Sequence, residues 1–273
     1  MSERRHGNEV TAGQFYDTLW SSELSAAALV HGPAHVGQEC LLTSEEILAF
    51  ARRAGITTDM QVLDIGSGRG GPACYLAQQL GCRVVGIDAS TVGHLHAVAR
   101  ARDAKVDHLV EFRCGDIHAV MLPSAAFDVV LGLDAWCHIP RRATLLKRCA
   151  TLLRSGGRVA FYDHVERRPM SDAQREHFCS LWRFAGLETP ASYLDAVQAA
   201  GFRVLFHEDT SAHAIRFYSR LVQVYQEHST EFEAARGSDR YREGLERLQI
   251  TSELAASGTL GQLACIAAVP SRA

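Results

Sequence analysis

The sequence has no basic stripe, no Cys-x-x-Cys pair, no apolar run long enough to cross a membrane, no internal repeat and no low-complexity segment. Each absence removes a class of function. With 28 Lys and Arg against 31 Asp and Glu, the formal net charge is -3, and neither nucleic acid nor a membrane is an expected partner. The Arg141-Arg142 and Arg167-Arg168 pairs read as solvated surface rather than a phosphate track. Most of the eight cysteines sit in apolar runs, where a free thiol behaves as a small hydrophobe. That is the pattern of a reduced, cytoplasmic protein rather than a disulfide scaffold. Met1 to Asn8 has no apolar stretch behind it, so no signal peptide is expected. What remains is ordinary for a globular chain: 47% apolar and 22% charged residues. The length of 273 residues suits one large α/β domain with an added helical cap, or two small domains.

The most informative stretch runs from Met60 to Ala77. Gln61-Val62-Leu63-Asp64-Ile65 is a short apolar run of the kind that forms a buried strand. It ends in Gly66-Ser67-Gly68-Arg69-Gly70-Gly71, followed by Pro72, which suits a first helical turn. Strand, glycine turn and helix start together form a ligand cradle at the carboxyl edge of a parallel sheet. Gly66, Gly68 and Gly71 satisfy the dinucleotide fingerprint, and Asp88 supplies the acidic residue expected about twenty positions on. Asp64 argues for another ligand. Its carboxylate, just ahead of the glycines, would repel a pyrophosphate and attract a ligand with an ammonium and a sulfonium. S-adenosylmethionine (SAM) is such a ligand. Asp64 as a turn residue holding the loop amides is the plain alternative.

Further elements follow by periodicity. Residues Gly13 to Leu29 read as one helix, and Thr43 opens a second through Arg52. Strands are expected at Cys82–Asp88, His108–Cys114, Phe127–Asp134, Arg158–Val165, Phe202–Glu208 and Leu260–Val269. Helices are expected at Ala73–Leu80, Thr91–Ala104, Arg142–Leu153, Ser171–Gly186, Ala191–Ala200, His213–Ala235 and Arg240–Ser257. Asp134 and His138 are four apart and would share a face on one helical turn. His94 and His96 are two apart, so a metal pair is not expected there, nor any metal elsewhere.

Val62 to Gly71 resembles motif I of the class I SAM-dependent methyltransferases, and the resemblance extends from about Phe15 to Pro270. It is similar to the small-molecule branch that includes sarcosine and dimethylglycine, phosphoethanolamine, and sterol or prenyl-diphosphate methyltransferases. The resemblance implies an α/β fold: a Rossmann-like, seven-stranded, mostly parallel sheet with helices on both faces and a helical cap. It divides the chain into lid helices (1–56), a SAM-binding core (57–170), and cap helices with the last two strands (171–273). Asp64, Gly66, Ser67 and Gly68 would cradle SAM. Asp88, Ala89 and Ser90 would meet the ribose, although Ser90 also reads as a helix cap. Gly115, Asp116 and Ile117 would surround the adenine, and Leu133 would lie beside the cofactor. The lid would bring Tyr16 as a latch and Trp20 against the site. Trp136, Trp182, Phe184 and Phe217 would roof the acceptor, with His164 beside it and Arg183 as the lone anion-binding candidate.

The chemistry implied is methyl transfer from SAM to a nitrogen or carbon nucleophile of a small metabolite, in bacterial secondary metabolism. Such a displacement needs alignment, exclusion of water and one base. His138 is the first choice for that base, with Asp134 orienting it or contacting a cationic substrate. Two other readings stay open: a SAM-binding cyclase or binding protein that transfers no methyl group, and an NAD-dependent oxidoreductase. The oligomeric state is open, a homodimer included.

Overall fold

The computed structural model describes residues 11–271; the leader reading at Met1–Asn8 lies outside them. Two short helices, α1 (Ala12–Leu19) and α2 (Ala26–His31), precede α3 (Ser44–Arg53). One helix was expected across the first two. Its middle is interrupted because Ser22 accepts the Leu24 amide and Ser25 caps α2 through the Ala28 amide, so serine hydroxyls replace helical bonds. The start of α3 follows the sequence: Thr43 and Glu46 form a reciprocal capping box.

Next come β1 (Gln61–Ile65), α4 (Gly71–Leu80), β2 (Arg83–Asp88), α5 (Thr91–Asp103), β3 (Val110–Cys114), β4 (Phe127–Leu133), α6 (Arg142–Leu152) and β5 (Leu153–Glu166). The strand β5 begins earlier than expected. Phe127 pairs with Leu153, and the Ser155-Gly156-Gly157 stretch is taken up where the β4–β5 register shifts. The remainder is α7 (Asp172–Trp182), α8 (Pro190–Ala199), β6 (Arg203–Asp209), α9 (Ser211–Glu227), α10 (Ser229–Arg236), α11 (Ser238–Ala256) and β7 (Leu260–Ala268). The long helix expected after His213 breaks at His228, which lets Phe232 fold back onto Tyr225 with ring centroids 4.2 Å apart.

The strands make one seven-stranded sheet in the order β3-β2-β1-β4-β5-β7-β6. β1 to β5 run parallel, and β7 lies antiparallel between β5 and β6. The order reverses beside β1, where α/β sheets open a crevice at their carboxyl ends. One core packs α3 and α4 on one sheet face, a second packs α6 and α8 on the other, and a third joins α2, α9 and α11. That third core is the cap. It stands over the carboxyl edge, while β6 and β7 tie its chain back into the same sheet.

Candidate active site

The glycine turn is shaped by two requirements. Gly66 has φ 82°, and a Cβ there would lie 2.3 Å from the Cβ of Ala135. Gly71 meets the lid: its Cβ would lie 2.4 Å from the Val36 carbonyl oxygen. The segment 36–40 is therefore seated directly on the turn.

Between turn and lid lies a cavity of about 460 Å3. Asp64, Gly66, Ser67 and Gly68 form its floor, and Asp88 and Ala89 one side. Gly115, Asp116 and Ile117 close the far end, with Leu133 opposite. Asp88 accepts from the Gly68 and Ser90 amides, each at 2.8 Å. Burial raises its carboxyl above the usual range. Ser90 does not reach the cavity. It is fully buried, accepts the Gly93 amide at 2.8 Å and donates to Asp17 at 2.5 Å, so the structure assigns it to capping α5. Asp64 is 2% exposed and its carboxylate accepts no hydrogen bond among the described residues. Burial, with the nearby Asp88 charge, pushes it up to about 7. A buried carboxylate facing a cavity without a partner fits a ligand that brings a cation, as SAM does with its ammonium group.

A second cavity, of about 90 Å3, opens under the cap. The two share a wall formed by Tyr16, Trp20, Glu39, Arg69, Asp134 and His138. Tyr16 Oη is 3.0 Å from His138 Nε2, and His138 Nδ1 is 3.3 Å from the Arg183 carbonyl. Burial pushes His138 down to about 4 and holds the Tyr16 phenol above its ordinary range. Asp134 does not orient His138. It has φ 53°, residues 136–138 form a 3-10 turn rather than an α-turn, and the shared helical face is lost. Its carboxylate accepts from the Leu41 amide at 2.8 Å and from Gln262, and lies 3.9 Å from His164 Nδ1. Burial raises Asp134 above the usual carboxylate range.

His164, 4% exposed, lines the second cavity and meets the Tyr218 hydroxyl at 2.7 Å. Trp182, Phe184 and Phe217 line it too. Two expected acceptor contacts are elsewhere. Trp136 is fully buried in the core, where its Nε1 donates to the Ile65 carbonyl at 3.3 Å and its ring packs on Phe161, because the 3-10 turn rotates it inward. Arg183 caps α7 in the left-handed conformation with an exposed side chain, and only its carbonyl reaches the site. The Asp163 carboxylate accepts from Arg142 and Tyr193 in a buried network beside His164. Cys137, Asp163 and His164 place donor atoms within 4.8 Å of one another, but the Arg142 guanidinium already balances Asp163.

Several residues gave no signal in the sequence. Glu39, held by Ser25 at 3.2 Å and raised by burial, faces both cavities. Arg236 and Arg247 line the second, beside Tyr225, whose spacing with Phe217, Tyr218 and Leu221 marked it only as part of a buried helix face. They come from helices whose apolar faces read as core, and only the packing of the cap brings them together.

Residues 63–161 match the family described as Methyltransferase domain. The chain is 27% identical over 219 residues to sarcosine/dimethylglycine N-methyltransferase from Halorhodospira halochloris, covering 80% of this chain and 78% of that one. It superposes with TM-score 0.80 and 21% identity on Haemonchus contortus phosphoethanolamine N-methyltransferase 2 in complex with phosphomonomethylethanolamine and S-adenosylhomocysteine, over 94% of this chain and 58% of that one. The [4+2]-cyclase SpnF aligns with TM-score 0.79 and 20% identity, over 96% and 98% of the two chains. Residues 63–161 are thus a methyltransferase domain, most of the chain is similar to SAM-dependent methyltransferases of small molecules, and the cofactor is SAM.

Proposed function

We propose that this chain transfers the methyl group of SAM to a nitrogen or carbon nucleophile of a small metabolite seated in the second cavity. One observation carries the reading: the two cavities meet at a wall made of Tyr16, Asp134 and His138. SAM supplies a methyl group already activated by its sulfonium. The chain supplies alignment and a dry site, which is most of what an in-line displacement requires.

In this reading Asp64 holds the cofactor's ammonium group, Asp88 its ribose hydroxyls and Asp116 its adenine amino group. Ile117 and Leu133 pack beside the ring. Asp134 places a carboxyl on the shared wall where an acceptor with a cationic nitrogen would meet it. The direction of each hydrogen bond follows from the tautomer. A carbonyl only accepts, so His138 Nδ1 carries the ring proton toward Arg183, and Nε2 accepts the Tyr16 hydroxyl. Tyr16 is then the group that faces the acceptor. Its oxygen accepts a hydrogen bond from the acceptor's nucleophile and holds it in line with the methyl group, while His138, kept neutral by burial, holds the Tyr16 hydroxyl in place.

The experiment is incubation of the purified chain with SAM bearing a deuterated methyl group and a panel of small amines, amino acids and unsaturated carbon acceptors. The product mass and S-adenosylhomocysteine are measured together. A labelled product in equal amount to S-adenosylhomocysteine supports the reading. A rearranged product without S-adenosylhomocysteine would favour the cyclase reading instead.

A further inference from the structure

The second cavity contains a cation with nothing to balance it. Arg247, on α11, extends its guanidinium over the rings of Phe15 on α1 and Trp182 on α7, 5.2 and 4.8 Å from their centroids. Its Nε is buried without a hydrogen-bond partner, and it forms no ion pair among the described residues. Glu243, one turn back on the same helix, is exposed. A second unpaired group lies beside it. Tyr225 on α9 is 2% exposed, and its hydroxyl has no partner. The hydroxyl points at α11 where Gly244 leaves it room: a Cβ there would lie 2.5 Å from Oη. Arg236 completes the set, donating to the Leu24 carbonyl at 2.7 Å while its own Nε is unpartnered. Buried donors are normally satisfied, and these three, unpartnered among the described residues and lining one cavity, point to an acceptor group that arrives with a ligand.

Charge defines that group. Arg69 pairs with Glu23 at 2.9 Å and lies 3.9 Å from Glu39, and Arg236 also sits in the field of Glu39. Those two carboxylates lie against Arg69 and Arg236, and Asp134, the other carboxyl lining the cavity, is held by the Leu41 amide, Gln262 and His164, leaving Arg247. A single positive charge calls for a single negative one.

We propose that the second cavity takes an acceptor bearing one carboxylate, bound by the Arg247 guanidinium and the Tyr225 hydroxyl, with its nucleophile toward Tyr16 and Asp134. The proposal rests on reading the second cavity as the acceptor site. A guanidinium presents a flat fork that matches a carboxylate. A phosphate monoester would bring a second charge that no cation here is free to meet. The volume of about 90 Å3 suits a compact group. Because Arg247 packs on Phe15, next to Tyr16 on α1, filling the subsite also steadies the residue that faces the nucleophile.

The test is calorimetric titration of the full chain with S-adenosylhomocysteine, then of that complex with matched acids and amides. Sarcosine is compared with sarcosinamide, indole-3-acetate with its amide, and phosphoethanolamine serves as the dianion. At least one acid is expected to bind about tenfold or more tightly than its amide, the gain of one charge-assisted pair. Arg247→Met should abolish that preference and Arg247→Lys restore part of it, with S-adenosylhomocysteine affinity unchanged in both. Equal binding of acids and amides, a preference that survives Arg247→Met, or tighter binding of phosphoethanolamine than of any acid overturns the proposal. If Arg247→Met does not fold, the wild-type comparison and Arg247→Lys still decide. If S-adenosylhomocysteine does not bind, the methyl-transfer reading fails, and the same titrations of the free protein decide the carboxylate subsite separately.

Discussion

Tyr16 and His138, 122 positions apart in the chain, meet at 3.0 Å where the two cavities join. The Arg183 carbonyl fixes the imidazole so that the hydroxyl donates and the ring accepts. Tyr16→Phe and His138→Ala are each expected to slow turnover by at least about tenfold while SAM affinity holds. The double variant should lose about as much as the worse single one, since the two side chains form one hydrogen-bonded unit. Additive losses in steady-state rates would separate them.

His138 titrates at about 4, below its ordinary value of 6.5, because burial disfavours the imidazolium. The unfolded chain therefore binds a proton at this residue between those two values while the folded chain does not. Stability is full above pH 6.5 and falls as the pH drops toward 4. Urea midpoints measured across that interval should fall more steeply for the wild type than for His138→Gln.

Asp64 shows the opposite sign. Its carboxyl is pushed up to about 7 from 3.8, so the folded chain holds a proton there that the unfolded chain releases. Its contribution to stability is present below 3.8 and lost as pH rises through 7. A cationic ligand reverses the preference, so SAM binding should release a proton and tighten as pH climbs toward 7. Calorimetry in buffers of different ionisation enthalpy reads that proton. Asp64→Asn should bind SAM more weakly, without proton release, and melt higher than the wild type at pH 8.

Gly66→Ala adds a methyl group 2.3 Å from Ala135 at a backbone angle that side chains resist. A cost of about 1–3 kcal/mol is expected from the backbone alone. Cofactor binding should fall with it, because the turn and the Ala135 segment line the same cavity. Wild-type affinity for S-adenosylhomocysteine in this variant would separate the turn from the site.

Removing Arg142 strands the fully buried Asp163. Arg142→Met is expected to cost about 3–5 kcal/mol in urea unfolding, the usual penalty for an uncompensated buried charge. Asp163→Asn should recover part of the loss when combined with it.

The sheet and its glycine turn were legible because their signals are local: an apolar run, a cluster of glycines and an acidic residue at a strand end sit within a few positions of one another. The cap was legible only as helices. Phe217, Tyr218 and Leu221 read as one buried face, and they are one. Tyr225 belongs to that same face, but Arg247 on α11 carries no local mark, because its meaning comes from elements packed across from it. Trp136 was expected in the aromatic roof of the acceptor site and Arg183 as its lone anion-binding candidate. A 3-10 turn and a left-handed cap, both set by tertiary contacts, moved them away. Ser90 carried two readings from the start, and burial selected the cap.

The antiparallel β7 lies between β5 and β6. During synthesis β6 emerges before the strand that must separate it from β5, and α9, α10 and α11 are made in between. Until β7 arrives, β5 presents an open edge beside the half-built sheet, and β6 has no partner with which to pair. Gln262, which holds Asp134, also lies on β7. The strand that closes the sheet thus also carries the side chain that holds Asp134 on the wall between the two cavities.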